Sequence, residues 1–210
     1  MICHESLKLL NYLSKSIVFV FCYIMLFLSL SACSTIHHAY STNMFYGEKA
    51  LRSGYYDEAK QNFEEAYEKN KTPEALMYLA MVDYKTNNLD SAESLVREAE
   101  LMGSVNYHYL RVLGYKALIL LKKNSDEGLE ALDQYVGFYA SCDPLMSIQE
   151  VRRMAQTSNI DMPLLEKLIE EQVSWFENDV ELYWSSGVGY YDARSFFGGS
   201  FRFHGGGIFH

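Results

Sequence analysis

The sequence predicts an all-α protein: a short solenoid of antiparallel helical hairpins, closed by a last helical hairpin and followed by an irregular tail rich in glycine and aromatic residues. Three observations carry this. Gly47, Ala59, Phe63 and Ala66 return 33 residues later as Ala80, Ala92, Val96 and Ala99, a fixed step that marks a repeat. Within each unit apolar residues fall at three- and four-residue steps, as in Leu76, Leu79, Ala80 and Leu95, Val96, Ala99, so each helix has one buried stripe. Strand-like alternation is confined to Ser200–His204, between glycines.

The first unit reads FYGEKALRSGYYDEAKQNFEEAYEKN, with a turn at Gly54 and an A-x3-F-x2-A pattern in its second helix. The second reads EALMYLAMVDYKTNNLDSAESLVREAEL and turns at Asn87-Asn88. Thr72 before Pro73 is an N-cap followed by proline at the first helical position, and Asp90-x-x-Glu93 has capping-box spacing. The charged run Asp57, Glu58, Lys60, Glu64, Glu65, Glu68, Lys69 reads as a solvated outer face. A third, degraded unit places Leu113-Gly114 34 residues after Leu79-Ala80, then Ala117, an apolar run to Leu121 and a turn at Lys122 to Ser125. Its second helix is expected over Asp126 to Tyr139, with Leu129, Leu132 and Val136 inward and Gly128 in place of alanine. These spacings resemble the tetratricopeptide repeat, two clear copies and one degenerate, although the helix-A tryptophan is absent and the closing proline is displaced to Pro73. Beyond them Asp143-Pro144 predicts a helix to about Thr157. Asp161 opens another, with Leu165, Leu168, Ile169, Val173 and Phe176 on one stripe. The pair is expected to cover the exposed face of the last repeat, which a short solenoid requires.

The first residues carry a different signal. Lys8 and Lys15 stand against one acid, Glu5, and Ile17 to Leu30 is a fourteen-residue uncharged run. As a helix this run covers about 21 Å, short of a ~30 Å hydrocarbon core, so it reads as a signal peptide rather than a span. It ends Leu30-Ser31-Ala32-Cys33, which resembles the lipobox of bacterial lipoproteins. The resemblance implies cleavage before Cys33, a diacylglyceryl group on its sulfur and an acylated amino terminus. Ser34, where an aspartate would retain such a protein at the inner membrane, implies sorting to the outer membrane, with the periplasmic side expected over the outer surface. The expected organisation is therefore a signal peptide 1–32, the lipidated cysteine and a polar tether 33–42, repeats 43–140, closing helices 141–180 and the tail 181–210.

Composition narrows the function. The part after residue 32 has 16 basic against 26 acidic residues, a net charge of −10, and no basic patch, which argues against nucleic acid as a partner. With Cys33 acylated, Cys142 is the sole thiol of the mature chain, read as a small buried hydrophobe or a disulfide to a partner. The sequence contains no G-x-S-x-G, H-E-x-x-H, P-loop or G-x-G-x-x-G pattern. His108 has no second catalytic group at a telling spacing, His37-His38 reads as spacer, and Glu64-Glu65 and Glu170-Glu171 read as surface charge. No catalytic residue, metal, cofactor or small-molecule substrate is expected.

What remains is protein binding. In the repeat family the first helices of each hairpin line a groove for peptides. Carried over by register, that face shows Met44, Phe45 and Glu48, then Met77, Tyr78, Met81, Tyr84 and Lys85, then Arg111, Val112 and Tyr115, with part of this set expected in the core. Met77, Tyr78, Met81, Tyr84, Lys85, Arg111 and Tyr115 are the candidate groove residues. The tail, with seven of the thirteen glycines, offers Tyr190, Phe196, Phe201 and Phe203 as contacts. It is expected to fold back on the helices, to insert into a partner or neighbouring copy, or to stay flexible. The expected function is a non-enzymatic, membrane-anchored adaptor for protein partners of the cell envelope. The alternative is a surface or matrix component whose tail is the working part.

Overall fold

The computed structural model describes residues 37–103, 108–142 and 146–186. The signal peptide, Cys33 and the tail from 187 with Tyr190, Phe196, Phe201 and Phe203 lie outside the described residues. Among those residues there are helices and no strands: α1 (37–52), α2 (Tyr56–Lys69), α3 (Pro73–Lys85), α4 (Leu89–Leu101), α5 (Tyr109–Lys122), α6 (Gly128–Ser141), α7 (Gln149–Thr157) and α8 (Met162–Ser186). Consecutive helices pack as antiparallel hairpins, α1 with α2, α3 with α4 and α5 with α6, stacked as a helical solenoid. α7 lies against α6 and α8 against α5.

The three hairpins turn by one device. Gly54, Asn87 and Asn124 each take a positive φ, of 78°, 62° and 53°. In each turn the next amide bonds back to the helix, Tyr55 to the Ala50 carbonyl, Asn88 to Asp83 and Ser125 to Leu120. The turn residues' own amides reach Leu51, Tyr84 and Leu121. Both bonds together make a Schellman ending, which satisfies carbonyls that a helix end leaves open. Counted back from this turn, Gly47, Ala80 and Ala117 are equivalent positions, all facing inward. The 34-residue match of Gly114 to Ala80 therefore does not hold, because α5 carries extra residues before its turn. Small residues at these positions bring the helices close. A Cβ on Gly47 would lie 2.6 Å from Phe63, whose ring stacks on Tyr78 of the next hairpin at 4.9 Å between centroids.

Local predictions fared unevenly. Thr72 does cap α3, its hydroxyl accepting from the Ala75 amide, and Asp161 accepts from Leu164 at the start of α8. The capping box at Asp90 does not form. Asn88 is the N-cap of α4, without a side-chain bond, and Asp90 and Glu93 both take Lys123, the C-cap of α5, at 2.6 and 2.7 Å. Leu129 points to solvent, since Gly128 occupies the inward position against the Leu121 backbone and Ala131, Leu132 and Tyr135 follow in its frame. Lys60 is not only solvated surface; it pairs with buried Asp83 at 2.9 Å. Asp143 and Pro144 fall outside the described residues, and α7 begins only at Gln149. The segment before it is held by tertiary bonds instead: the Met146 amide donates to the Tyr139 hydroxyl and Gln172 donates to the Ser147 carbonyl.

Both boundaries of the predicted body move outward. Residue 37 is already helical, and Tyr40 bonds Thr72 and Glu74 at the start of α3, so residues 37–42 are part of the stack rather than tether. At the other end α8 continues to Ser186, past the break in composition at Leu182, because the first glycine of that region is Gly187. No described helix is long and apolar enough to cross a membrane.

Candidate functional site

The face formed by α1, α3 and α5 is the one the sequence singles out for peptide binding, and α8 lies on it. The apolar stripe of α8, Leu165, Ile169, Val173 and Phe176, is buried. Ile169 fits over Gly114 so closely that a Cβ there would stand 2.6 Å from its Cγ2. Beside the stripe runs a row of carboxylates, and these engage the groove residues directly. Glu166 accepts from the Tyr84 hydroxyl at 2.8 Å and from Lys85 at 2.6 Å. Glu170 accepts from Lys85 at 2.7 Å and from the Tyr115 hydroxyl at 2.8 Å. Glu177 takes the guanidinium of Arg111 through two bonds, one of 2.9 Å from Nε and a second from Nη2. Because Glu166 meets the end of α3 and Glu177 the start of α5, α8 runs antiparallel to both.

Glu177 belongs to a second, deeper cluster. His108, at the N-cap of α5, is buried and donates from Nδ1 to Glu177 and from Nε2 to Glu74, both at 3.1 Å. Glu74 also accepts from Tyr40 of α1 at 2.8 Å. Burial alone would pull the imidazole pKa down, but hydrogen bonds to the two carboxylates outweigh it and push the ring up to about 9. Glu177 is held below the usual carboxylate range: its burial works the other way, and the bonds from Arg111 and His108 prevail. Two cations and two anions thus balance inside one cluster that joins α1, α3, α5 and α8. The pairing offsets part of the cost of burying charge, and removal of any one member leaves its partner uncompensated.

α8 does not fill the whole face. Between it and α1 remains a cavity of about 570 Å³, lined by Glu48, Leu51 and Arg52 of α1, by Tyr78, Met81 and Lys85 of α3, by Arg111 and Tyr115 of α5, and by Glu170, Val173 and Ser174 of α8. Its floor is polarised: the Arg111 guanidinium lies 5.0 Å over the Tyr78 ring and touches the Met81 sulfur. Glu48 has its pKa raised by burial against the opposing pull of Arg52 and Arg111.

The seven candidate groove residues therefore divide. Tyr78, Met81, Lys85, Arg111 and Tyr115 line the cavity. Met77 and Tyr84 do not; both are packed in the core, Tyr84 under Glu166 and with Lys122 over its ring at 4.5 Å. Met44 and Val112 are buried as well, and Phe45 is exposed. Sequence reasoning missed Glu74, Glu166 and Glu177 and assigned Glu170 to open surface. A signal was present, since Glu166, Glu170 and Glu177 each follow a stripe residue of α8 and so share one side of it. Cys142 is buried at the end of α6. Comparison with known proteins finds no family model and no curated protein that matches the chain.

Proposed function

We propose that the chain is a bacterial envelope lipoprotein, anchored through Cys33, that works without catalysis as an adaptor and receives a segment of a protein partner in the slot between α1 and α8. The observation that supports this most is the division of the groove face. Half of it is satisfied by α8, while the remainder presents a cavity of about 570 Å³ with aromatic, methionine and paired charged groups at its floor. Such a mixture of adaptable apolar and charged contacts suits peptide recognition. An extended segment fits this slot better than a helix, because α8 already holds the width a second helix requires.

The test is photo-crosslinking in intact cells from Arg52 in the slot and, as a control, from Asp133 on the outward side of α6. A partner captured only from Arg52, with binding that weakens on Met81→Glu, supports the reading. Equal capture from both positions would discard it. Lipidation is tested separately: Cys33→Ala is expected to abolish acyl labelling and release the chain from membranes. The alternative reading, a surface component acting through its tail, predicts that partner capture vanishes when the chain stops after Ser186 with the helices intact.

A further inference from the structure

The charged groups around the slot differ in how well they are compensated. Lys85 holds two carboxylates, Glu166 at 2.6 Å and Glu170 at 2.7 Å, and Glu170 also accepts from the Tyr115 hydroxyl. Arg111 is taken through two bonds by Glu177. Glu48 is the exception. Among the described residues its one ion pair is with Arg52, a turn further along α1, at 3.3 Å. That guanidinium is 68% exposed, whereas the carboxylate side chain is 30% exposed. A pair of this kind, loose and mostly in water, is a weak one. Burial disfavours the charged form of Glu48 more than Arg52, Arg111 and the Tyr78 hydroxyl favour it, and Glu74 adds a like charge.

Counted with the carboxylates that hold them, the cations of the lining are outnumbered. Arg52, Lys85 and Arg111 stand against Glu48, Glu166, Glu170 and Glu177. Lys122 also acts on Glu166, from outside the lining. The chain beyond residue 32 has the same sign, with 16 basic against 26 acidic residues, so a cation approaches through a favourable field. An acidic side chain entering the slot has to displace Glu170 or Glu177 from the cations they hold; only Arg52, at the exposed rim, has a bond weak enough to give up. A basic side chain displaces nothing. The same cavity offers Leu51, Met81 and Val173, against which the aliphatic stem of a long basic residue can lie while its head stays among polar groups.

We propose that the slot selects a segment carrying a lysine or arginine, whose charged head meets Glu48 and whose stem lies along Leu51 and Met81. The inference rests on the reading of the slot as the place where a partner segment binds, and adds the charge of that segment. A carboxylate introduced at position 81 falls to Arg111, which the Met81 sulfur already touches, so Met81→Glu is a loss for a basic segment too.

The experiment titrates the full chain, in a nonionic detergent, with blocked tripeptides at millimolar concentrations: acetyl-Ala-Lys-Ala-amide, acetyl-Ala-Met-Ala-amide and acetyl-Ala-Glu-Ala-amide. The methyl resonance of Met81 is followed by NMR. The lysine peptide is expected to shift it saturably and to bind about fivefold tighter or more than the methionine peptide, with the glutamate peptide weakest. Glu48→Gln is expected to make the lysine and methionine peptides equal, with unchanged helical circular dichroism. Asp133→Asn, an exposed acid of α6, is expected to leave the preference as it is, which separates Glu48 from the overall charge of the chain. Ser174→Trp, which fills the slot from α8, is expected to abolish the shift by every peptide. Equal binding of the three peptides, a preference for glutamate, or a lysine preference that survives Glu48→Gln each overturns the proposal, while loss of the shift in Ser174→Trp still upholds the slot as a binding place. A Met81 resonance that no peptide moves, or that moves equally in Ser174→Trp, overturns the slot reading and this proposal with it.

Discussion

Two interfaces hold this molecule together, and they are built from different materials. Within and between hairpins the core is apolar and close: Gly47 under Phe63, the Phe63 ring on Tyr78 of the next hairpin, and Ala59, Ala66, Ala92 and Ala99 buried around them, with ion pairs such as Lys60–Asp83 and Lys123–Glu93 beside it. Between the stack and α8 an apolar stripe is flanked by Glu166, Glu170 and Glu177, each taken by a cation or hydroxyl of the groove face. The first kind depends on volume and fails through cavities. The second depends on charge balance and fails when one partner is removed. The face that the sequence marks out for peptide binding is bound, in part, by the chain itself.

The contrast can be broken most forcefully on the apolar side. Phe63→Ala should destabilise the whole stack by about 3–5 kcal/mol, seen as a lower urea midpoint, because the ring is fully buried and its neighbours cannot collapse into the space. Next comes the charged side. Glu177→Ala strands buried Arg111 and His108 and should cost about 3 kcal/mol, with amide exchange rising in α8 more than in α2 to α4. The paired change Arg111→Met with Glu177→Leu should recover most of that loss, which a purely steric interface would not do. Uniform exchange throughout the stack in Glu177→Ala would mean that the two interfaces form one cooperative unit.

Smaller effects sharpen the comparison. His108 titrates near 9 in the folded chain, above its ordinary value of 6.5. A raised folded pKa means that the stabilisation is fully present below pH 6.5 and is lost as pH rises through 9. Melting temperature should therefore fall by a few degrees between pH 7 and 10, and less in His108→Asn; a flat profile in the wild type would contradict the cluster. The exposed pair Glu150–Arg153 on α7 should be silent, with Arg153→Ala leaving the melting temperature unchanged.

How much of this was legible depends on the distance between partners along the chain. The hairpins were visible because Gly47, Phe63 and Ala66 recur at a fixed step, and Thr72-Pro73 announces α3 by itself. The turn residues Gly54 and Asn87 could be located, yet their shared bonding pattern, which reassigns Ala117 to the position claimed for Gly114, appears only with the backbone. The occupation of the groove face was hidden for a physical reason. Glu177 meets Arg111 across 66 residues and Glu166 meets Lys85 across 81, and an isolated glutamate on a helix reads as solvated in any local window. The capping box at Asp90 failed because α4 begins two residues earlier than that spacing implies, with Asn88 as N-cap, so that Asp90 stands inside the first turn and its carboxylate meets Lys123 after α5. The early start of α1 was missed because STIHHAYSTN lacks a periodic stripe; it is the bonds of Tyr40 to Thr72 and Glu74 and of Asn43 to Glu65 that tie this turn to the stack.

The covalent link between α8 and the face it covers has a consequence for mass action. A segment joined by a short connection presents itself at an effective concentration of about millimolar or above, however dilute the protein. A foreign helix aiming for the place of α8 competes with that standing local supply, and its apparent affinity is reduced in proportion. A segment entering the slot beside α1 displaces nothing and binds at its intrinsic strength. Any segment that bound this surface would therefore meet two halves of very different apparent affinity, and the division between them is drawn by the ion pairs of α8.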